Sequence, residues 1–398
     1  MVPTHHTKPA RQRVAFAHDW LVSLRGGEHV LERLIDASSK KYEPAGIYTL
    51  FHRKHTMLPK TAALPIRKSP LNAMPARRWL LPMYPWAVDR LSDKLARDHA
   101  NHAIDLLVST SSGLIKSIEA PDNVPHLCYC HSPARYLWHA IGDYSTGSGA
   151  GAALRRFGLA RFGDKLRKYD RDTVRHVDAF VANSKHTARQ IETAFGRDAR
   201  VVHPPVRTDR FTVDPKVDRE DFWLVVSALE PYKRVDLAIE AAMTAGNRLM
   251  IAGVGSQLAS LKKLVKQTDR RFKSVGLGGG RSSFIQFLGR VPDEQLIGLY
   301  RRARCLIFPQ VEDFGIVALE AQACGCPVVA RRAGGAVETV LEGRTGSFFA
   351  DPTEEAIRQA VDRCPSDVAE QCRNNAEKYS EARFDDAMLR IMDDMLRR

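Results

Sequence analysis

The chain has 398 residues, 44% hydrophobic and 27% charged, and its Lys and Arg outnumber Asp and Glu by 60 to 46, a formal charge of +14. That length exceeds one ordinary core and suits two domains of about 200 residues each, and no stretch approaches the roughly 18 apolar residues of a membrane span. The positive charge calls for an anionic partner. The absence of zinc-finger spacing, an RNP-like aromatic motif or a long basic block argues against nucleic acid and for a phosphorylated small molecule or an acidic membrane surface.

In chain order, the start "MVPTHHTKPARQRVAFAHDW" reaches a strand-like run near Val14 without the apolar stretch and cleavage site of a secretory signal. A cytoplasmic location is therefore expected, with seven reduced cysteines and no disulfide. After "RVAFAH", Gly26 and Gly27 precede the amphipathic "EHVLERL". Such a pair serves either as a plain tight turn or as a close approach for a phosphate or acceptor to backbone N–H groups at the helix start. Met74–Asn101 sets Arg77 and Arg78 beside an apolar, aromatic run broken by Pro82 and Pro85. It reads either as a helix pair closing a core or as a surface docking on anionic lipid.

The runs "IDLLVST", "HLCYCH", "AFVANS" and "RVVHPP" complete the first half, with His131 at the C-terminal end of its strand. Gly142–Gly158 is Gly/Ser-rich and reads as a mobile loop. Prolines and charges interrupt the pattern over Arg207–Asp218, the expected hinge. "FWLVVSAL", "RLMIAG", "IQFLGR", "CLIFPQ" and "PVVARR" follow. Lys233 opens a helix after the first of these, Gly253 and Gly255 form a weak GxG after the second, and Gly276–Ser283 is expected to be a solvated insertion. Short β-branched runs alternating with helical patterns predict an α/β chain of two Rossmann-like, doubly wound domains facing a central cleft. The expected limits are 1–207, 208–378, and a C-terminal helix, 379–398, returning to the first domain.

The stretch "FPQVEDFGIVALEAQACGCPVVA" carries Glu312 and Glu320 eight residues apart. A helix over Asp313–Cys324 would separate the two carboxylates by roughly 12 Å along its axis, at 1.5 Å per residue. Glycosidase carboxylates stand about 5 to 9.5 Å apart, so the wider spacing suits two points on one extended ligand. A nucleotide sugar is such a ligand, with one carboxylate on sugar hydroxyls, the helix start facing the pyrophosphate, and the second carboxylate on the ribose diol. The plainer alternative is a glutamate favouring a helix start and a second one in solvent.

With those residues in place, the sequence resembles a retaining glycosyltransferase of family four with the two-Rossmann GT-B architecture. The resemblance runs in order through "RGGEHVLERL", "CYCHSPARYLW", "VANSKHTARQI", "VVHPPV", "SALEPYKRVDLAIEAA", "IAGVGS", "FLGRVPDEQLIGLYRRA", the two-glutamate stretch, "RRAGGAVETV" and "GRTGSFF". "CYCHSPARYLW" and "PYKRVDLAIEAA" are most similar to the GDP-mannose-dependent mannosyltransferases of O-antigen, lipopolysaccharide and exopolysaccharide assembly. The resemblance implies catalytic roles for Glu312, on the donor hexose, Lys233, on the leaving diphosphate, and His131, against the donor sugar. It implies a donor site of Glu320 on the ribose with Arg234, Phe314, Gly315, Gly334, Gly335 and Gly253, and a phosphate or acceptor loop at Gly26 and Gly27. One position departs. Ala228 stands where many members carry an arginine five residues before the lysine, so Arg234 or another arginine has to supply the second cation.

The implied reaction is transfer of a hexose, with retention, from a nucleoside diphosphate sugar to a lipid-linked or glycan acceptor, at the inner face of the membrane. GDP-mannose is the favoured donor and a UDP-sugar the alternative. The donor is expected on the second domain and the acceptor on the first. Without a Walker pattern or a well-placed Asp-x-Asp motif, no cofactor and no metal are expected. A zinc site at Cys128, Cys130, Cys324 and Cys326 is disfavoured by the Cys-x-Cys spacing. The rivals are a non-catalytic sugar-nucleotide-binding subunit, which Ala228 alone supports, and an inverting transferase or epimerase of the same fold.

Overall fold

The computed structural model describes residues 11–24, 26–53, 57–74, 80–138, 150–275 and 279–397, with the backbone alone for 150–160. Two compact units result. The first takes Met1–Asn183, Thr187–Val202 and Phe384–Arg398, and the second takes Ser184–His186 and His203–Arg383.

The first unit is built on seven parallel strands: β1 (Arg13–Leu21), β2 (Glu43–His52), β3 (Ile66–Lys68), β4 (Leu106–Ser111), β5 (His126–Cys130), β6 (Ala179–Ala182) and β7 (Ala199–Val201). Their spatial order is β3-β2-β1-β4-β5-β6-β7. Apolar residues run continuously along the strands because both faces are covered. Val14 and Phe16 of β1 point into one core with Leu31, Leu34 and Tyr129, and Ala15 and Ala17 point into another with Leu91 and Ile115. The helix Glu381–Leu396 lays Phe384, Met388 and Met392 into the first of these cores. Arg33 grips Asp385 through two hydrogen bonds of 2.8 and 2.6 Å.

The second unit repeats the plan with six parallel strands: β8 (Phe222–Val226), β9 (Arg248–Ala252), β10 (Ile285–Gly289), β11 (Cys305–Phe308), β12 (Val328–Arg331) and β13 (Gly346–Phe349). Their order is β10-β9-β8-β11-β12-β13. Along β8, Trp223 and Val225 enter the core on one face, and Phe222 and Leu224 enter the core on the other. In each sheet the chain starts at a central strand, winds outward, and returns to the opposite side. The order reverses between β1 and β4 and between β8 and β11, and ligands of such sheets bind outside the carboxyl ends of the strands at that switch.

Part of the expected loop at Gly142–Gly158 is helical. The helix Ala150–Asp172 begins within it, anchored further along by buried Leu166 and by Asp170, which pairs with Lys116 inside the unit. Residues 142–149 lie outside the described set. The insertion after the helix Leu258–Ser274 is tied down at Arg281, which donates to the carbonyls of Met243 and Thr244 and stacks 4.8 Å above Phe272; 276–278 are not described.

Candidate functional site

At the switch of the second sheet, the loops after β8 and β11 bring Lys233 and Glu312 into an ion pair, with side chains 12% and 18% exposed. Lys233 ends a short turn, Pro231–Lys233, ahead of the helix Val235–Ala245. Arg234 holds a left-handed conformation between them (φ 50°), and its guanidinium turns to Asp236 at 3.0 Å. The candidate second cation is therefore spoken for locally.

Glu312 is not on a helix. The helix runs from Ile316 to Ala323, and the residues before it form a tight loop, so the axial spacing expected for the two carboxylates does not apply. Three contacts delay the helix. Gly315 sits at φ 92°, where a Cβ would press to 2.9 Å on the Phe308 ring. The Phe314 ring is buried against His203 and Tyr379, at 5.4 and 5.8 Å between centroids. The Asp313 carbonyl accepts from Ser184 Oγ at 2.6 Å.

Gly334 and Gly335 support this loop from below. A Cβ at Gly334 would stand 2.3 Å from the Glu312 carbonyl oxygen and one at Gly335 2.3 Å from the Phe314 Cα, while the Gly335 N–H donates to the Glu312 carbonyl at 2.8 Å. Their lack of side chains sets the height at which Glu312 sits. Gly253 has a similar constraint at the neighbouring strand end. A Cβ there would overlap the Ser227 carbonyl, at 1.8 Å.

Glu320 lies within the helix, its side chain 14% exposed, with Arg207 Nη2 3.6 Å from its carboxylate. Burial pushes its carboxyl up to about 7, Arg207 pulls it back down, and Asp293 adds to the rise. Arg207 also donates to Asp293 at 2.8 Å.

In the first unit the strand ends carry imidazoles instead of ion pairs. His131 follows β5, its ring edge-on to Tyr129 at 5.2 Å, and its buried Nε2 has no hydrogen-bond partner among the described residues. Burial, and to a lesser degree the neighbouring His18, lowers it to about 3, so it is neutral. Gly27, in the first turn of the helix Gly26–Ser39, faces both rings: a Cβ there would lie 3.5 Å from His131 Nε2 and 3.6 Å from His18 Cε1. Gly26 beside it is exposed.

Sequence reasoning did not single out His18. Its Nδ1 lies 2.6 Å from Thr110 Oγ1, whose own hydrogen is directed to the Ala17 carbonyl at 3.4 Å. Next to His18, Asp19 accepts from Ser112 N, Ile115 N and Ser111 Oγ and shapes the loop after β4. The polar "HD" at the end of the apolar "RVAFA" was the available signal. Arg207, also missed, had none, because its partners are 86 and 113 residues away.

All seven cysteines are free, and Cys128 and Cys130 lie in one unit while Cys324 and Cys326 lie in the other. Among the described residues no group of three or more His, Cys, Asp or Glu side chains is placed to hold a metal.

Comparison with known proteins agrees with the two-sheet plan. The crystal structure of Anabaena HepE in complex with UDP superposes with a TM-score of 0.70 over 96% of this chain and 100% of that one, at 16% identity. The fold is thus the two-domain GT-B glycosyltransferase fold. Residues 25–210 match the family described as Glycosyltransferase Family 4 and residues 206–381 the family described as Glycosyl transferases group 1. Each match takes just under half of the chain, and together they run from residue 25 to residue 381. Among curated relatives, the D-inositol 3-phosphate glycosyltransferase of Mycolicibacterium smegmatis is 32% identical over 55% of this chain and 54% of its own length. The GDP-mannose-dependent alpha-(1-6)-phosphatidylinositol monomannoside mannosyltransferase of the same organism is 33% identical over 46% and 52%. The chain thus spans about half the length of the curated relatives it matches.

Proposed function

We propose that the protein is a retaining hexosyltransferase that moves a sugar, mannose from GDP-mannose in the favoured reading, to a hydroxyl of a lipid-linked or glycan acceptor in cell-surface polysaccharide synthesis. The observation that carries the reading is the Lys233–Glu312 pair at the switch of the second sheet, a cation and a carboxylate where the fold binds ligands. Lys233 neutralises charge growing on the leaving diphosphate, with the backbone around Gly315 beside it. Glu312 holds hydroxyls of the donor hexose and Glu320 those of the ribose. In the first unit, neutral His131 and the Gly26–Gly27 turn offer a place for a hydroxyl. The bond from the anomeric carbon to the phosphate oxygen breaks, and the acceptor oxygen bonds on the same face and passes its proton to the departing phosphate, so no protein nucleophile is required. The mannosyl preference is supported by the motifs of the sequence and by the GDP-mannose dependence of one relative.

Calorimetry with GDP-mannose, UDP-glucose, UDP-galactose and UDP-N-acetylglucosamine, followed by product analysis, tests this. Binding and turnover of GDP-mannose, with retention and undiminished by a magnesium chelator, is the expected result. Binding without turnover of any donor would favour a sugar-nucleotide-binding subunit.

The acceptor reading extends to an anionic membrane surface, since Met83 and Trp86 are exposed at the start of the helix Tyr84–Asn101 and the chain carries a formal charge of +14, although within that helix Arg90, Lys94 and Arg97 are balanced by Asp89, Asp93 and Asp98. Arg77 and Arg78 lie outside the described residues, and no described helix is long and apolar enough to cross a membrane. Flotation with anionic but not neutral liposomes, lost in high salt, is expected. Failure to float assigns the basic surface to substrate binding instead.

A further inference from the structure

Glu320 does not stand alone in the second unit. Arg207, on the segment leading into β8, reaches two acidic side chains from different helices: Asp293, at the start of Asp293–Arg302, at 2.8 Å, and Glu320, in Ile316–Ala323, at 3.6 Å. Its guanidinium lies 5.1 Å from the centre of the Phe211 ring, which fixes its plane. Arg210 supplies a second cation to Asp293 at 3.1 Å and turns its other nitrogen to Glu294. Asp293 is therefore held twice, whereas Glu320 has Arg207 as its paired cation among the described residues.

We propose that Arg207 is a positioning residue for nucleoside recognition: by bridging Asp293 and Glu320 it orients the Glu320 carboxylate toward the ribose hydroxyls of the donor. This rests on the reading of Glu320 as the ribose carboxylate. A carboxylate accepts from both hydroxyls of a diol only while it is ionised and aimed. The groups facing it are Arg207, Asp293 and Tyr300 from neighbouring segments and Cys324 from the end of its own helix. Three of these four lack positive charge, so Arg207 is what favours the ionised form against burial. Nucleotide recognition then depends on an arginine more than a hundred residues from the glutamate in sequence.

The two sugars of a nucleotide pair separate this role from a structural one. Affinities of GDP and 2′-deoxy-GDP, and of UDP and 2′-deoxy-UDP, would be measured by calorimetry from pH 5.5 to 8.5 on the full chain and on Arg207→Met, Arg207→Lys and Glu320→Gln, with thermal midpoints alongside. The wild type is expected to prefer ribose over 2′-deoxyribose by about tenfold at high pH, the worth of one hydrogen bond to a charged group. That preference should be lost as pH falls through about 7, where burial places Glu320. Arg207→Met should move the midpoint upward and shrink the preference at pH 7.5, Arg207→Lys should restore part of it, and Glu320→Gln should flatten the profile. An Arg207→Met protein that keeps the wild-type preference and midpoint overturns the proposal. So does one that loses ribonucleotide and deoxyribonucleotide affinity equally, the mark of a structural role. A wild type that binds nucleotide without preferring ribose instead overturns the reading of Glu320, and one that binds neither nucleotide overturns the donor site itself.

Discussion

The two units share a sheet plan but differ in what they set at its switch. The second presents charge: Lys233 with Glu312, and Arg207 between Glu320 and Asp293. The first presents neutral imidazoles, His18 and His131, both lowered by burial, around a glycine without a side chain. Under the proposed function, the charged set meets the diphosphate and ribose diol of the donor, and the neutral set meets an uncharged hydroxyl of the acceptor.

The contrast breaks most directly at Lys233. Lys233→Ala should lower turnover on the order of 100-fold with the fold intact. Initial rates with the preferred donor check this, and a loss below tenfold would move the work to another cation. Next in size is the support beneath Glu312. Gly334→Ala puts a Cβ at φ 66° against the Glu312 carbonyl, and its cost, about 1–3 kcal/mol, should appear in urea denaturation together with a fall in turnover.

The pH behaviour sharpens the comparison. Glu320 is raised to about 7 from an ordinary 4.5, so the folded chain holds a proton there that the unfolded chain releases. That contribution to stability is full below about 4.5 and is lost as pH rises through 7. Glu320→Gln should therefore gain stability relative to wild type between pH 5 and pH 8, by on the order of 1–2 kcal/mol. His131, at about 3, should add no titration to a rate profile between pH 5 and 8. A thermal-melt series that shows no pH-dependent gap for Glu320→Gln contradicts the burial of that carboxyl. The smallest effect belongs to Thr110→Val, which removes the hydrogen-bond partner of His18 Nδ1. It should cost about 0.5–1.5 kcal/mol of stability, and the imidazole nitrogen shifts of His18 should change with it.

Strands with continuous apolar runs were legible in the sequence. "IDLLVST", "HLCYCH", "FWLVVSAL" and "CLIFPQ" hold β4, β5, β8 and β11 almost residue for residue. β2 and β3 were not read, because Pro44 and Gly46 break the first and Ile66–Lys68 is only three residues long. The placement of His131 directly after β5, and of Lys233 and Glu312 in the loops beyond β8 and β11, was legible from the strand pattern. The late start of the helix at Ile316 was not, since it is imposed by Phe308, His203 and Tyr379 from elsewhere in the chain. The glycine pair was legible as a pair, while its function as the floor under Glu312 depends on a carbonyl 22 residues earlier in sequence. Arg207 and the His18–Thr110 contact are tertiary neighbours with no local pattern.

The helix Glu381–Leu396 completes a core whose other members come from the first half of the chain. In order of synthesis, the first unit is therefore begun before the second and finished after it. Until that helix leaves the ribosome, the surface around Leu31, Leu34 and Tyr129 lacks the cover of Phe384, Met388 and Met392. A nascent chain paused in the second unit would carry a first core covered by the helix Gly26–Ser39 but not by Phe384, Met388 and Met392, a state for chaperones to hold. A nonsense mutation at codon 384 would remove Phe384, Met388 and Met392 from the half of the protein that was translated first.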